Sequence, residues 1–152
     1  MAIKYYWEDF RPEQVFEIGS RTLTAREIIG FAREYDPQYY HTDEQAAKNS
    51  PFGGLIASGW HTVSIGMRLM CDGYLLETSC AGSPGIDELK WTQPVRPGDT
   101  LSFRSTVLAT SPSRSKPDRG SVKFRWEVLN QNGEVVCSMI GTQIYLRRPA
   151  AS

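Results

Sequence analysis

The sequence predicts an α+β fold in which a curved antiparallel sheet wraps around one central helix. Two observations carry this prediction. Residues 58–76 are apolar on nearly every side, and a helix of that kind is normally buried. After Pro84 the apolar residues recur with a period of two, which is typical of half-buried antiparallel strands.

The first helix is predicted between a capping box and a proline. Thr24 and Glu27 form a T-x-x-E capping box that opens a helix of about ten residues. Pro37 ends this helix, because a proline disfavours the helical conformation of the residue before it, here Asp36. Thr42 with Gln45 predicts a second, short helix that stops before Pro51. This order places Asp36 and His41 on either side of a tight connection.

The strands are predicted from alternation at residues 86–95, 100–110, 121–130 and 134–146, with an N-terminal strand near residues 14–19. Asn132-Gly133 predicts a two-residue type I′ hairpin, and Pro97-Gly98-Asp99 predicts another turn. A curved sheet of these strands around the central helix is the hot-dog architecture. Since such a sheet leaves an edge strand exposed, we expect two subunits to pair into a continuous sheet.

Length and composition limit the classes of function. The 152 residues fit one domain, residues 1–152, and the 17 basic and 17 acidic side chains cancel. No charge run supplies the field that nucleic acid or an anionic membrane needs, so neither is an expected partner. Cys71, Cys80 and Cys137 form no CxxC pair and are interpreted as reduced, buried thiols. With no apolar leader or membrane span in the sequence, a soluble cytoplasmic protein is expected.

The chemistry is concentrated in one stretch. The segment YDPQYYH places Asp36 and His41 five residues apart, and the segment FGGLIASGWHTVS then leads from a glycine pair into the central helix. This combined motif resembles the MaoC-like dehydratases, or (R)-specific enoyl-CoA hydratases, of the hot-dog fold, from about Val15 to Leu146. Two positions depart from the family pattern. Pro37 directly follows Asp36 in place of the usual Asn-Pro, and Ser58 stands where a histidine often precedes the helix-start glycine, which could alter the turn and the substrate range.

The resemblance implies roles for named residues and for the whole protein. Asp36 and His41 would form a catalytic dyad that holds and activates water, and the backbone N–H of Gly59 would bind the thioester oxygen. The remaining implied site residues are a dyad-supporting serine, Ser64, and the substrate contacts Gly54, Ser58 and Trp60. The implied protein is a homodimer or a dimer of dimers with a pantetheine tunnel between subunits. It uses no metal and no cofactor, coenzyme A being part of the substrate.

Elementary chemistry agrees with these roles. Adding water to a 2-enoyl thioester requires a base for the water, an acid for C2 and a donor for the enolate oxygen. A carboxylate and an imidazole can exchange protons near neutral pH. The N-terminus of the central helix offers unpaired N–H groups and the positive end of the helix dipole.

Structural explanations compete for several of these residues. Asp36 could simply end a helix, the glycines could simply allow a tight loop, and the Ser64 hydroxyl could bond back to its own helix. His61, inside the apolar segment, is interpreted as structural. Three basic side chains in one loop could meet the phosphates of coenzyme A or could be solvated: Arg114, Lys116 and Arg119.

Two further patterns remain open. His41, Asp43 and His61 match the ligand types of a non-haem iron facial triad, although their spacing disfavours it. Four aromatic residues are interpreted as core or interface residues, with a wall for an acyl chain as the alternative: Tyr39, Tyr40, Trp60 and Trp91.

Two other functions use the same predicted scaffold, because a fold does not fix a function. A hot-dog acyl-CoA thioesterase often takes a carboxylate from the central helix, where this sequence offers only Asp72 and Glu77 near the far end. A non-catalytic acyl-thioester-binding subunit would be free to lack the dyad. The presence of both Asp36 and His41 favours hydration.

Overall fold

The computed structural model describes residues 2–151. Its five strands form one antiparallel sheet in the order β1-β3-β4-β5-β2. The strands are β1 (Val15–Thr22), β2 (Gly85–Trp91), β3 (Thr100–Pro112), β4 (Arg119–Leu129) and β5 (Val135–Leu146). The helices are α1 (Ala25–Tyr35), α2 (Tyr39–Thr42), α3 (Glu44–Ala47) and α4 (Gly59–Gly73), with 3₁₀ turns at Trp7–Asp9 and Leu75–Glu77. The predicted α+β hot-dog fold is therefore confirmed, including the N-terminal strand.

The core lies between α4 and the concave face of the sheet. From α4, Ile65, Leu69 and Met70 are buried, and they meet the inward-facing residues of the three central strands. Along β3 and β4 the buried and less buried positions alternate, as the period of two predicts. Phe103 and Phe124, from neighbouring strands, are almost completely buried.

The prediction that α4 is buried on nearly every side is wrong for the single chain. Trp60 is 56% exposed and Met67 is 45% exposed, so only one face of the helix is covered. The reason is that one five-stranded sheet can wrap only part of a helix surface. The uncovered face lies next to the edge strand β2, where Ile86 and Trp91 are also exposed.

The sequence predicts Thr42 as the N-cap of the second short helix, and this prediction is wrong. Thr42 is the last residue of α2, and its hydroxyl donates to the carbonyl of Gln38 at 3.2 Å. Asp43 caps α3 instead, because its carboxylate accepts hydrogen bonds from the amides of Gln45 and Ala46, both at 3.0 Å. A charged acceptor at the N-terminus of a helix also gains from the helix dipole.

The hairpin between β4 and β5 is present, but its predicted turn type is wrong. A type I′ turn requires positive φ at both central residues, and here Gly133 has φ 74° whereas Asn132 does not lie in that region. The side chain of Asn130 accepts hydrogen bonds from the amides of Asn132 and Glu134 and so stabilises a longer loop. The turn predicted at Pro97-Gly98-Asp99 is confirmed, with Gly98 at φ 91°.

All three cysteines are free thiols, and only Cys137 is buried. Cys71 and Cys80 are partly exposed, which corrects the expectation of three buried thiols. Within residues 2–151, no helix has both the length and the apolar character needed to cross a membrane.

Candidate active site

The end of α1 and the short helix α2 bring Asp36 and His41 together. The Thr24 hydroxyl accepts a hydrogen bond from the Glu27 amide at 3.1 Å, which confirms the predicted start of α1. Asp36 is the C-terminal cap, with φ −153° and ψ 71°, so the backbone leaves the helix immediately before Pro37. Asp36 therefore does end a helix, and the same turn directs its carboxylate towards His41.

The two side chains form a contact pair. Nε2 of His41 lies 3.3 Å from Oδ2 of Asp36, with side-chain exposures of 6% for the histidine and 19% for the aspartate. Nδ1 of His41 lies 2.7 Å from the carbonyl oxygen of Ile56. A carbonyl can only accept a hydrogen bond, so Nδ1 carries a hydrogen and Nε2 is the ring nitrogen that faces Asp36.

Two neutral donors hold the carboxylate of Asp36. Gln38 donates its amide to Oδ1 at 2.8 Å, and Ser58 donates its hydroxyl to Oδ2 at 2.7 Å. Burial by itself would raise the pKa of Asp36, but the hydrogen bonds from Gln38 and Ser58 and the field of His41 outweigh burial and lower that pKa. The site thus stabilises an ionised carboxylate next to an imidazole.

A cavity of about 380 Å³ opens beside this pair. Asp36, His41 and Gly59 line it together with the aromatic rings of Trp60 and Trp91 and the segment 92–95. Gly59 is the first residue of α4, where the backbone N–H groups have no acceptor within the helix. An acid–base pair and a helix N-terminus therefore face the same space.

Trp91 explains why residue 59 is a glycine. Its Nε1 donates to the carbonyl of Gly59 at 2.9 Å, and a Cβ on Gly59 would lie 2.4 Å from Cε2 of the indole. Trp60 meets the same ring edge to face, with 5.2 Å between ring centroids. Trp91, Trp60 and Tyr40 thus line the cavity, whereas Tyr39 does not, and a wall for an acyl chain stays a prediction for the three that do.

Three other predicted site residues do not line the cavity. Ser58 is fully buried and faces Asp36, so it does not line the cavity as a substrate contact. Ser64 is exposed, and its hydroxyl donates to the carbonyl of Trp60 at 2.8 Å, which is the competing explanation given for it above. Gly54 lies in the preceding loop against Arg96 and does not line the cavity either.

Sequence reasoning missed the contacts that hold the dyad in place. The hydrogen bond between Ser58 and Asp36 joins residues 22 positions apart in the sequence. The one between the Ile56 carbonyl and His41 joins residues 15 positions apart. No local pattern signals either contact. The departure from the family pattern at Ser58 was the only available sign that this residue has a particular role.

The iron facial triad is not assembled. The Asp43 carboxylate is occupied in capping α3, while the ring of His61 is stacked on Phe31 with 4.5 Å between centroids. In the part of the chain that the structure describes, no three His, Cys, Asp or Glu side chains are grouped as metal ligands. His61 is buried in the core side of α4, as its structural interpretation expected.

The basic loop lies far from the dyad within one chain. Lys116 and Arg119 line a separate recess with Ile144, near the end of β5. Trp91, which lines the cavity beside the dyad, is paired with Cys137 near the start of β5. Ile144 lies seven residues further along β5, which corresponds to about 23 Å along a strand. The Arg119 guanidinium also pairs with its neighbour Asp118 at 2.9 Å.

A hot-dog sheet with Asp36 and His41 beside the N-terminus of its central helix agrees with the predicted class of hot-dog hydratases and dehydratases. Residues 9–125 match the family described as MaoC like domain. The chain belongs to this family.

Individual proteins are similar to this chain over different shares of its length. The crystal structure of a MaoC-like dehydratase from Rhodospirillum rubrum is 43% identical, with a TM-score of 0.90, and covers 97% of this chain and 100% of its own. Protein YdeM of Bacillus subtilis, which is uncharacterized, is 34% identical over 110 residues, or 72% of this chain and 77% of its own length. Mesaconyl-CoA hydratase of Cereibacter sphaeroides is 38% identical over 68 residues, which is 45% of this chain but only 20% of that enzyme.

Proposed function

We propose that the protein is an (R)-specific enoyl-CoA hydratase or, for the reverse reaction, a 3-hydroxyacyl-CoA dehydratase. The observation that carries the proposal is the 3.3 Å contact between Asp36 and His41 at a cavity that Gly59 also lines. Family membership supports the hydro-lyase class, and the resemblance of the motif to (R)-specific hydratases supports the stereochemistry. The name of the relative mesaconyl-CoA hydratase supports coenzyme A as the carrier.

The first step of the proposed reaction is attack of water on C3 of the enoyl thioester. The dyad removes a proton from the water while its oxygen forms the new bond to C3. The electron pair of the double bond moves towards the thioester carbonyl, and negative charge collects on that oxygen. The N–H of Gly59 and the positive end of the α4 dipole stabilise this charge.

The second step returns a proton to C2. Nδ1 of His41 is held by the Ile56 carbonyl, so Nε2 is the ring atom that exchanges protons with the reacting groups. When C2 takes the proton, the enolate becomes a saturated 3-hydroxyacyl thioester. The dyad has then received one proton and given one, so no external acid, base or redox partner is required.

The geometry gives less support to a thioesterase. The side chain of Asp72 is 51% exposed and paired with Arg68 at 3.0 Å, and Glu77 is exposed in the 3₁₀ turn beyond α4. Neither carboxylate lines the cavity at the helix N-terminus. A non-catalytic acyl-binding subunit is likewise disfavoured, since it has no use for an ordered acid–base pair.

One assay distinguishes these three functions. The protein is mixed with crotonyl-CoA, and the enoyl absorbance and the release of free thiol are followed in parallel. Loss of the enoyl absorbance without thiol release is the expected result. Thiol release would replace the proposal with a thioesterase, and no change in either signal would indicate the binding subunit. The same assay with enoyl thioesters of different lengths, on coenzyme A and on acyl carrier protein, defines the substrate.

A further inference from the structure

Ser58 is the only hydroxyl donor to the dyad among the described residues, and it differs from the other serines of the site region. It is fully buried at the N-terminal cap of α4, and its hydroxyl lies 2.7 Å from Oδ2 of Asp36. The N-cap serine of a helix usually accepts a hydrogen bond from its own first turn, but this one makes no such side-chain cap. Its hydrogen bond is used on the carboxylate instead.

The Oδ2 atom that Ser58 contacts is also the atom closest to His41. A carboxylate offers about four lone-pair directions. Gln38 donates to Oδ1 and Ser58 donates to Oδ2, while Nε2 of His41 lies 3.3 Å from the same Oδ2. Asp36 also lines the cavity, from which water can reach its carboxylate. Ser58 therefore restrains the rotation of the carboxylate at the atom closest to His41.

The serine also favours one charge state. A hydroxyl that donates to a carboxylate stabilises the ionised form over the protonated form. Its backbone stands immediately before Gly59, so the same residue links the dyad to the oxyanion-binding end of α4.

We infer that Ser58 is a positioning residue of the dyad, which keeps the Asp36 carboxylate ionised and aimed at the water site. This inference rests on the proposed hydration reaction. It replaces the substrate contact that was expected from the motif, and it gives the departure at this position a function of its own. Ser58 acts through Asp36 and touches no reacting atom.

The test compares Ser58→Ala with Ser105→Ala, a matched control. Ser105 is also fully buried, but its hydroxyl contacts Tyr74 in the core at 2.8 Å and not the dyad. Ser58→Ala should lower kcat for crotonyl-CoA hydration by roughly 10- to 100-fold, the effect of one hydrogen bond to a charged group. KM should change only a few-fold, and the acid limb of the pH profile should move to higher pH. Ser105→Ala should change neither the acid limb of the pH profile nor the ratio of kcat to KM.

Two further measurements make the result decisive. Ser58→Thr retains the hydroxyl, and if this variant folds, it should restore the wild-type pH profile. Carboxyl ¹³C NMR should show that Asp36 titrates at higher pH in Ser58→Ala than in the wild type, whether or not the protein hydrates crotonyl-CoA. An unchanged Asp36 titration together with an unchanged pH profile would overturn the inference. Loss of the proposed function would instead appear as a wild type that leaves crotonyl-CoA intact.

Discussion

The indole Nε1 of Trp91 donates a hydrogen bond to the carbonyl of Gly59, and the same ring fills the space where a side chain on residue 59 would stand. The edge strand β2 and the N-terminus of α4 are thus in contact at the residue that we propose to bind the thioester oxygen. This contact connects the packing of the cavity wall with the chemistry at Gly59.

We therefore predict that Gly59→Ala damages both stability and activity. A Cβ placed 2.4 Å from the indole forces Trp91 to move, and overpacking of this kind costs about 1–3 kcal/mol. The control is Gly30→Ala in the middle of α1, where a Cβ would meet nothing within 4 Å. That change should stabilise the protein by roughly 0.5–1 kcal/mol. For both variants, the free energy of unfolding is measured in urea, and activity is measured as kcat/KM for crotonyl-CoA hydration. Because alanine keeps the backbone N–H, full activity of Gly59→Ala would show that the contact with Trp91 is not needed to position that group.

The dyad predicts strongly non-additive kinetics. Asp36→Asn and His41→Gln nearly preserve volume but remove groups that exchange protons, so each should lower kcat by on the order of 10²–10⁴-fold. The double variant should be little worse than the poorer single variant, because both groups act on one water. An unreactive acyl-CoA analogue should still bind within a few-fold of wild type. Near-normal turnover by either folded variant would leave Asp36 and His41 as a helix-ending turn.

The stability of the fold should fall in mild acid because of His61. Burial lowers the pKa of His61 from its ordinary value of 6.5, a shift that Glu27 opposes and Arg21 assists. Since the folded pKa is the lower one, the unfolded chain binds more protons below about pH 6.5. The free energy of unfolding therefore decreases as the pH falls from 6.5 towards the folded pKa.

The variant His61→Phe tests this directly. Phenylalanine can retain the stacking on Phe31 but cannot take up a proton, and it removes the unpartnered Nδ1 of His61. Urea midpoints are compared at about pH 7.5 and about pH 5.5, on either side of the ordinary histidine pKa. The loss of stability in acid should be smaller in the variant. An equal loss in both proteins would assign the acid sensitivity to other groups.

We expect a homodimer that covers the edge strand β2 and the open face of α4. An unpaired edge next to exposed apolar side chains is a site for pairing with a second copy. Ile86 on β2 and Val15 on the opposite edge strand β1 are both 49% exposed, so they form a matched pair. Ile86→Lys should dissociate the dimer in sedimentation experiments, and Val15→Lys should not. A stable, active monomer of the wild type would contradict this expectation, whereas a dimer of dimers would agree with it.

Hydration is expected to need no metal, since the dyad transfers protons and Gly59 binds the developing oxyanion. Extensive treatment with a strong chelator should leave the rate of crotonyl-CoA hydration unchanged. Activity that disappears and returns with ferrous iron or zinc would revive the His41, Asp43 and His61 alternative. Dialysed protein without chelator is the control.

The elements that depend on local physical chemistry were predictable from the residues alone. The period of two after Pro84 predicted β3, β4 and β5, because alternate side chains must face the core. β2 departs from its prediction, because it ends at Trp91 instead of Val95 and its positions do not alternate in burial.

Thr24 and Pro37 fixed the two ends of α1, since a cap and a proline act within one turn. The closeness of Asp36 and His41 followed for the same reason, as only a short turn separates them.

The other residues that reach the site do so through long-range packing, which no local pattern reveals. Ser58 meets Asp36 across 22 positions and Trp91 meets Gly59 across 32, and contacts over such distances arise when separate elements pack. The motif could place Ser58 and Ser64 near the site, but the rotation of α4 against the sheet decided which hydroxyl faces the dyad. That rotation is set by burial of Ile65, Leu69 and Met70, so Ser58 faces inward to Asp36 while Ser64 stays on the exposed side.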